Sequence, residues 1–258
     1  MPSNKNNKQG ERIMKFFLIA ILSVAFLLPA YASEMPAPMI AEYFGCKLNE
    51  GKNLQDHGKW VKKWNKWMDS TDLNNYRAAV FTPLYRSPND HLDIMWVGFT
   101  ASTQELAKGQ SAFRNSELPA SNPAASCPFS FMASQLPIEA VNIQENFNPE
   151  EFVVGYWFCN IEPGKTLRDV HAVQTRRMLH AQSNGASFGS KIITPGSGTP
   201  AALRDYDFVI SYASASMEEW GKNVDIFRTK VAGTHENSSA GTFECGNSTI
   251  WTGRMVRN

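Results

Sequence analysis

Residues 156–169 read "YWFCNIEPGKTLRD", and residues 43–56 have already read "YFGCKLNEGKNLQD". Laid over each other without a gap, the two stretches agree at six of fourteen positions: Tyr, Cys, Gly, Lys, Leu and Asp. Average composition gives roughly one such agreement. The echo continues downstream. Thr82-Pro83 returns as Thr194-Pro195, Asp93 as Asp207, Phe113-Arg114 as Phe227-Arg228 and Cys127 as Cys245, at spacings between 112 and 118 residues. Spacing that drifts this little is what loops of unequal length produce. Shared patterning alone does not keep Thr-Pro and Phe-Arg pairs in register, so the chain reads as a duplication.

Working outward, the first 32 residues stand apart. Lys5, Lys8, Arg12 and Lys15 precede an apolar run, Phe16–Leu28, and Ala30-Tyr31-Ala32 follows it. A basic leader, a short apolar core and a small-x-small site make a secretory signal peptide cut after Ala32. A second start at Met14 would leave the signal whole. The run is too short to span a bilayer, which takes about 20 apolar residues. The expected product is periplasmic or secreted, with no stable membrane insertion after cleavage. The formal net charge is +1. Apart from the leader, only the lysines of "KWVKKWNKW" cluster, on the face of a helix opposite a row of tryptophans, so a nucleic-acid partner is not expected.

Each half serves as a check on the other. Tyr43–Leu48 and Val153–Ile161, rich in aromatic and branched residues, read as first strands. Helices follow over Leu54–Met68 and Leu167–Gln182, with Asn53 and Thr166 as N-caps. Tyr76–Leu84 and Phe188–Thr194 are second strands ended by prolines, and Leu92–Thr100 and Tyr206–Ala213 are third strands. Ser102–Arg114 and Ser216–Val231 are second helices, and Ser126–Ala133 and Phe243–Val256 supply fourth strands. The segments are a leader (1–32), a first repeat (33–138), a polar, proline-flanked linker (139–150) and a second repeat (151–258).

The order β-α-β-β-α-β, stated twice, resembles tandem ferredoxin-like units of the dimeric α/β-barrel superfamily. That group includes antibiotic-biosynthesis-type monooxygenases, stress-responsive barrel proteins, chlorite dismutase and dye-decolourising peroxidases. The resemblance is one of topology and spans almost the whole mature chain. It implies an α+β fold of two tandem ferredoxin-like repeats whose antiparallel sheets pack as an intramolecular α/β barrel. Ligands would sit in the cleft between sheet and helices. Four cysteines in an exported chain favour disulfides, and four allow three pairings. The strand order of the resembled fold, 4-1-3-2, makes strands one and four neighbours, which implies Cys46–Cys127 and Cys159–Cys245.

The candidate site residues come from comparing the first helices. At about 100° per residue, Leu54, His57, Trp60, Val61, Trp64, Trp67 and Met68 share one arc of the first. The matching arc of the second puts Arg177 where the first has Trp64, and His180 where it has Trp67. His57 falls where the second half has Val170. A charge on an apolar arc must find a partner or water, and such breaks in a pattern mark sites. Arg177, His180, His57 and Trp64 are therefore the ligand-binding candidates, with Asp207 as the expected counter-ion of Arg177. A pocket is expected beneath the first helix of the second half, because the tryptophans of the first half fill space. No G-x-S-x-G, H-E-x-x-H, Walker or dinucleotide motif occurs. The glycine-rich "PGSGTP" of residues 195–200 leads from strand to strand and reads as a turn.

His57, His91, His171, His180 and His235 show no metal spacing, and neither a metal nor a cofactor is expected. A heme of the chlorite-dismutase kind would need an axial histidine in the second half, from His171 or His180, and the sequence singles out neither. The expected activity is binding of a small, partly apolar molecule. A cofactor-independent oxygenase on the same scaffold and an interaction module with a filled interior are the alternatives.

Overall fold

The computed structural model describes residues 35–85, 91–138 and 147–258. The leader and residues 139–146 of the linker lie outside the described residues. Among the described residues, eight strands alternate with four helices. The first half holds β1 (Met39–Leu48), α1 (Leu54–Met68), β2 (Arg77–Pro83), β3 (Ile94–Thr100), α2 (Thr103–Arg114) and β4 (Ala125–Ile138). The second holds β5 (Phe152–Ile161), α3 (Leu167–Ser183), β6 (Gly189–Pro195), β7 (Phe208–Ser214), α4 (Met217–Ile226) and β8 (Phe243–Arg257). These bounds follow the sequence reading to within a few residues, with two exceptions: β4 runs on to Ile138, past the expected end at Ala133, and a separate π turn, Phe227–Val231, ends the last helix.

The strands close into one antiparallel barrel in the order β4-β1-β3-β2-β8-β5-β7-β6, with β6 returning to β4. Within each half the order is the 4-1-3-2 expected. What differs is how the halves meet. They join edge to edge in one sheet rather than as two stacked sheets. The cause lies in the length of the fourth strands. β4 pairs with β1 over Ala125–Gln135 and then runs on to pair with β6 over Ala133–Ile138. β8 repeats this, pairing with β5 over Phe243–Gly253 and with β2 over Trp251–Arg257. Closure leaves no edge strand for unwanted pairing.

The period-two alternation of strands then sorts side chains into two sets. Ala41 and Tyr43 of β1, and Phe152, Val154 and Tyr156 of β5, point into the barrel and pack with Phe81, Val97 and Trp251. Phe44 and Cys46, and Trp157 and Cys159, point outward to separate cores beneath the helices of their own half. The barrel is thus largely filled, and each half keeps its own cleft between sheet and helices.

Local chemistry sets the helix starts. Asn53 accepts from the N–H groups of Gln55 and Asp56. Thr166 and Asp169 form a reciprocal capping box. Trp60, Val61, Trp64 and Met68 of α1 are buried, while Lys59, Lys62, Lys63 and Lys66 are exposed. Leu54, expected on the same arc, is exposed at the first turn. Among the described residues, no helix is long and apolar enough to cross a membrane.

Both expected disulfides are present. Cys46–Cys127 and Cys159–Cys245 each tie strand one to strand four of the same half, at sequence separations of 81 and 86. Cys159 and Cys245 are direct cross-strand partners. In the chain-entropy view a loop of that length is worth about 4.5 kcal/mol. Replacing both Cys159 and Cys245 by alanine should therefore lower the unfolding free energy by roughly that amount in denaturant titration. An unchanged midpoint would mean that the bond does not restrain the unfolded chain.

Candidate functional site

The five candidate residues do not form one constellation. His57 and Trp64 line a cavity of about 340 Å³ between β1, β3, α1 and α2 in the first half. Arg177 lines one of about 280 Å³ in the second half. The expectation of a pocket in the second half alone is corrected. The first-half tryptophans wall their cavity instead of filling it, because they brace one another edge to face: Trp64 and Trp96 have ring centroids 4.8 Å apart at 81°.

Asp207 is not the counter-ion of Arg177. Its carboxylate accepts from Ile161 N–H at 2.8 Å, and its own N–H donates to the Cys159 carbonyl at 3.0 Å. Asp93 does the same in the first half, accepting from Leu48 N–H at 3.0 Å and donating to the Cys46 carbonyl at 2.9 Å. The matched aspartates are strand-end clamps, which explains why both halves carry them. Arg177 finds neutral partners: Nε donates to Asn237 Oδ1 at 3.2 Å and a terminal nitrogen to Gln174 Oε1 at 3.1 Å. Its guanidinium also lies 5.5 Å from the Phe243 ring centre. Half-buried, it reaches both water and these dipoles. His180 is not among the residues lining the cavity, and its Nε2 sits 3.1 Å from Thr234 Oγ1.

The first cleft carries the more unusual chemistry. His57 is 3% exposed, and neither ring nitrogen has a hydrogen-bond partner among the described residues. Its ring stacks on Trp60 at 5.8 Å, and the buried Trp60 Nε1–H is likewise unpartnered. A further atom of this kind, His171 Nε2, lies outside the lining of both cavities. Burial, aided by the charge of Arg254, lowers the His57 pKa to about 4, so the imidazole is neutral near pH 7. A neutral imidazole in an apolar wall has a free lone pair and a free N–H, each costly to leave unused.

A polar cluster faces the same space. Glu42 of β1 points outward among apolar neighbours and is buried. It accepts from Tyr76 O–H at 2.5 Å and from Gln110 Nε2, while Trp96 Nε1 donates to the Tyr76 oxygen at 3.2 Å. Burial raises the Glu42 carboxyl above the usual carboxylate range, against the lowering effect of these bonds and of Arg114. Burial raises Tyr76 too, with the Glu42 charge adding to it. Sequence reading missed Glu42, Tyr76 and Gln110. The signal was available one residue before the duplicated stretch: Glu42 matches Gly155 in the second half, a carboxyl against no side chain at all.

No protein-family model matches the sequence, and neither does any curated protein. Solved structures do resemble the fold. One is a protein provisionally named as a chlorite dismutase, with TM-score 0.50 and 12% identity over 84% of this chain and 94% of that one. Another is a variant of chlorite dismutase from Candidatus Nitrospira defluvii, with TM-score 0.49 and 11% identity over 84% and 92%. A third, described as a novel heme-binding protein from Thermus thermophilus, has TM-score 0.47 and 10% identity over 85% and 91%. The architecture is that of chlorite dismutase-like α/β barrels. These neighbours also overturn one expectation. The fold is shared with a protein named as a chlorite dismutase, the kind for which a heme was weighed in the sequence, so the expectation of no cofactor is withdrawn.

The buried imidazole has a consequence for stability. The folded-state pKa of His57, about 4, lies below the ordinary 6.5, so the unfolded chain binds the extra proton between those values. Stability contributed by neutral His57 is present above about pH 6.5 and is lost as pH falls through 4. The shift corresponds to roughly 3 kcal/mol. Chemical denaturation at pH 7 and pH 4 should show His57→Leu losing less stability on acidification than the parent. Equal losses would mean that His57 is not buried as described.

Proposed function

We propose that the protein binds a small, largely apolar molecule in the first-half cleft, with His57 as the group that holds its polar or Lewis-acidic centre. The observation that carries this reading is the buried, neutral imidazole with both nitrogens unpartnered. Trp60, Trp64 and Trp96 supply flat apolar walls, and Glu42, held by Tyr76 and Gln110, supplies the one carboxyl. A cavity of about 340 Å³ falls in the range of about 300–1,000 Å³ of small-molecule sites.

The donor set fits an iron porphyrin in this cleft. Neutral imidazole is a usual ligand of heme iron, and His57 would offer it, whereas His171 and His180 of the second half line neither cleft. Heme, when bound, would supply iron-centred redox chemistry. The chain's own contributions would be a ligand atom at His57, exclusion of water by the tryptophans, and a hydrogen-bonding carboxyl at Glu42.

Two finer readings belong with this one. The halves are copies of one ferredoxin-like unit, a view supported by the matched cysteines, aspartates and strand order. The chain is exported before it folds, a view supported by the composition of its first 32 residues and by its two disulfides.

Titration of the purified protein with hemin tests the ligand. The expected result is a saturable, one-to-one shift of the Soret band that weakens at least about tenfold in His57→Ala, the residue that would hold the iron, and is unchanged in Arg177→Ala. Equal binding by His57→Ala, or loss of binding only in Arg177→Ala, would contradict the assignment to the first cleft.

A further inference from the structure

The barrel interior holds polar groups that neither cleft uses. Lys191 of β6 donates from Nζ to Gln135 Oε1 at 2.9 Å, and its ammonium lies 5.0 Å from the Phe99 ring centre. No ion pair to Lys191 occurs among the described residues, and burial lowers its pKa to about 8. An ammonium can only donate. Gln135 must therefore turn its carbonyl to Lys191 and its NH2 group to Tyr43, whose oxygen it meets at 2.5 Å. The Tyr43 oxygen is thereby used as an acceptor. Its own O–H has no acceptor among the described residues.

Tyr43 is also in the wall of a cavity of about 320 Å³ at one mouth of the barrel, with Phe131, Tyr156, Phe158, Trp251 and Leu203. The Phe131 ring stacks on Tyr43 at 4.8 Å and 8°, a flat apolar face. The rim is the "PGSGTP" loop, whose glycines now have a reason. Gly198 sits at φ +85°, and a Cβ there would come 2.6 Å from the Ser130 carbonyl oxygen. The loop is pinned to β4, with Gly196 N–H donating to the Met132 carbonyl at 2.8 Å and Met132 N–H donating to the Ser197 carbonyl at 2.9 Å. The loop and the turn Ala201–Leu203 that follows it carry Pro195, Pro200 and Leu203 to the cavity.

We propose that this barrel-mouth cavity is a second ligand site, distinct from the helix-covered clefts, that takes a small planar aromatic molecule bearing a carbonyl or carboxylate oxygen. The ring lies among the aromatic walls, and the oxygen receives the Tyr43 O–H. Gln135 and Lys191 are positioning residues that keep this hydrogen pointing away from the protein's own acceptors. The ligand contributes what the pocket lacks, an acceptor, and the pocket supplies a preset donor on a dry wall.

Calorimetric titration with 2-naphthoate, 2-acetonaphthone and 2-methylnaphthalene tests this. The first two should bind one-to-one more tightly than the third, which has no acceptor. Tyr43→Phe should weaken them about tenfold, the worth of one good hydrogen bond to a ligand, and leave 2-methylnaphthalene unchanged. Leu203→Trp, a rim substitution in a surface loop, should block all three, while His57→Ala should affect none. Failure of all three to bind the unsubstituted protein overturns the proposal, as does equal loss of the acceptor-free probe in Tyr43→Phe. Should Tyr43→Phe not fold, Leu203→Trp decides alone, and undiminished binding by it overturns the proposal.

Discussion

The pairing of each fourth strand with two partners is the constraint from which the rest follows. β4 and β8 begin beside the first strand of their own half and end beside the second strand of the other. Once both have done so the sheet has no edge, and its inner face has nowhere to go but inward on itself. That inner face is large and aromatic, and it fills most of the barrel. Sites for ligands are then left in two kinds of place: the clefts where helices cover the outer face, and the mouth where the packing ends. The disulfides sit where each fourth strand is still beside its own first strand, fixing the start of the crossing.

On that common frame the two halves have diverged at the positions facing the helices. The first places a carboxyl, a neutral imidazole and tryptophans there. The second places Arg177, Gln174 and Tyr212, joined by hydrogen bonds: Gln174 Nε2 donates to the Tyr212 hydroxyl at 2.9 Å and to Ser190 Oγ at 3.1 Å. The difference that matters is satisfaction. Each side chain of the second network has a partner, as in a structural network. In the first cleft His57 has none among the described residues, and an unsatisfied buried group is unfavourable unless something outside the chain completes it.

Much of this was legible in the sequence, because it is local. Asn53 and Thr166 announced their helices, the aromatic and branched runs announced the first strands, and the strand order of the resembled fold implied the pairing of the cysteines. Closure was implied by the resemblance alone. The overrun of Gln135–Ile138 depends on partners in the other half of the chain (Ile138 opposite Ser190), and no local pattern encodes it. The site was half legible. His57 stood out as a break in an apolar arc, but Arg177 stood out more, since a charge on such an arc looks anomalous until its partners Asn237 and Gln174 are seen. Asp207 was misread for the opposite reason. Its match to Asp93 was a sign of shared architecture rather than of a site. Glu42 escaped because the first strand was read from Tyr43, whereas β1 begins at Met39.

The state of the His57 ring is the point on which the account of the first cleft turns, and it can be observed directly. Long-range nitrogen–proton NMR correlation of the imidazole, followed from mildly alkaline to strongly acidic pH in the ligand-free protein, reports its protonation. The account predicts a single neutral tautomer that persists through pH 6.5 and charges only near pH 4. A ring that titrates near 6.5 would be a solvated surface histidine, and would contradict the assignment of the first cleft as a ligand site.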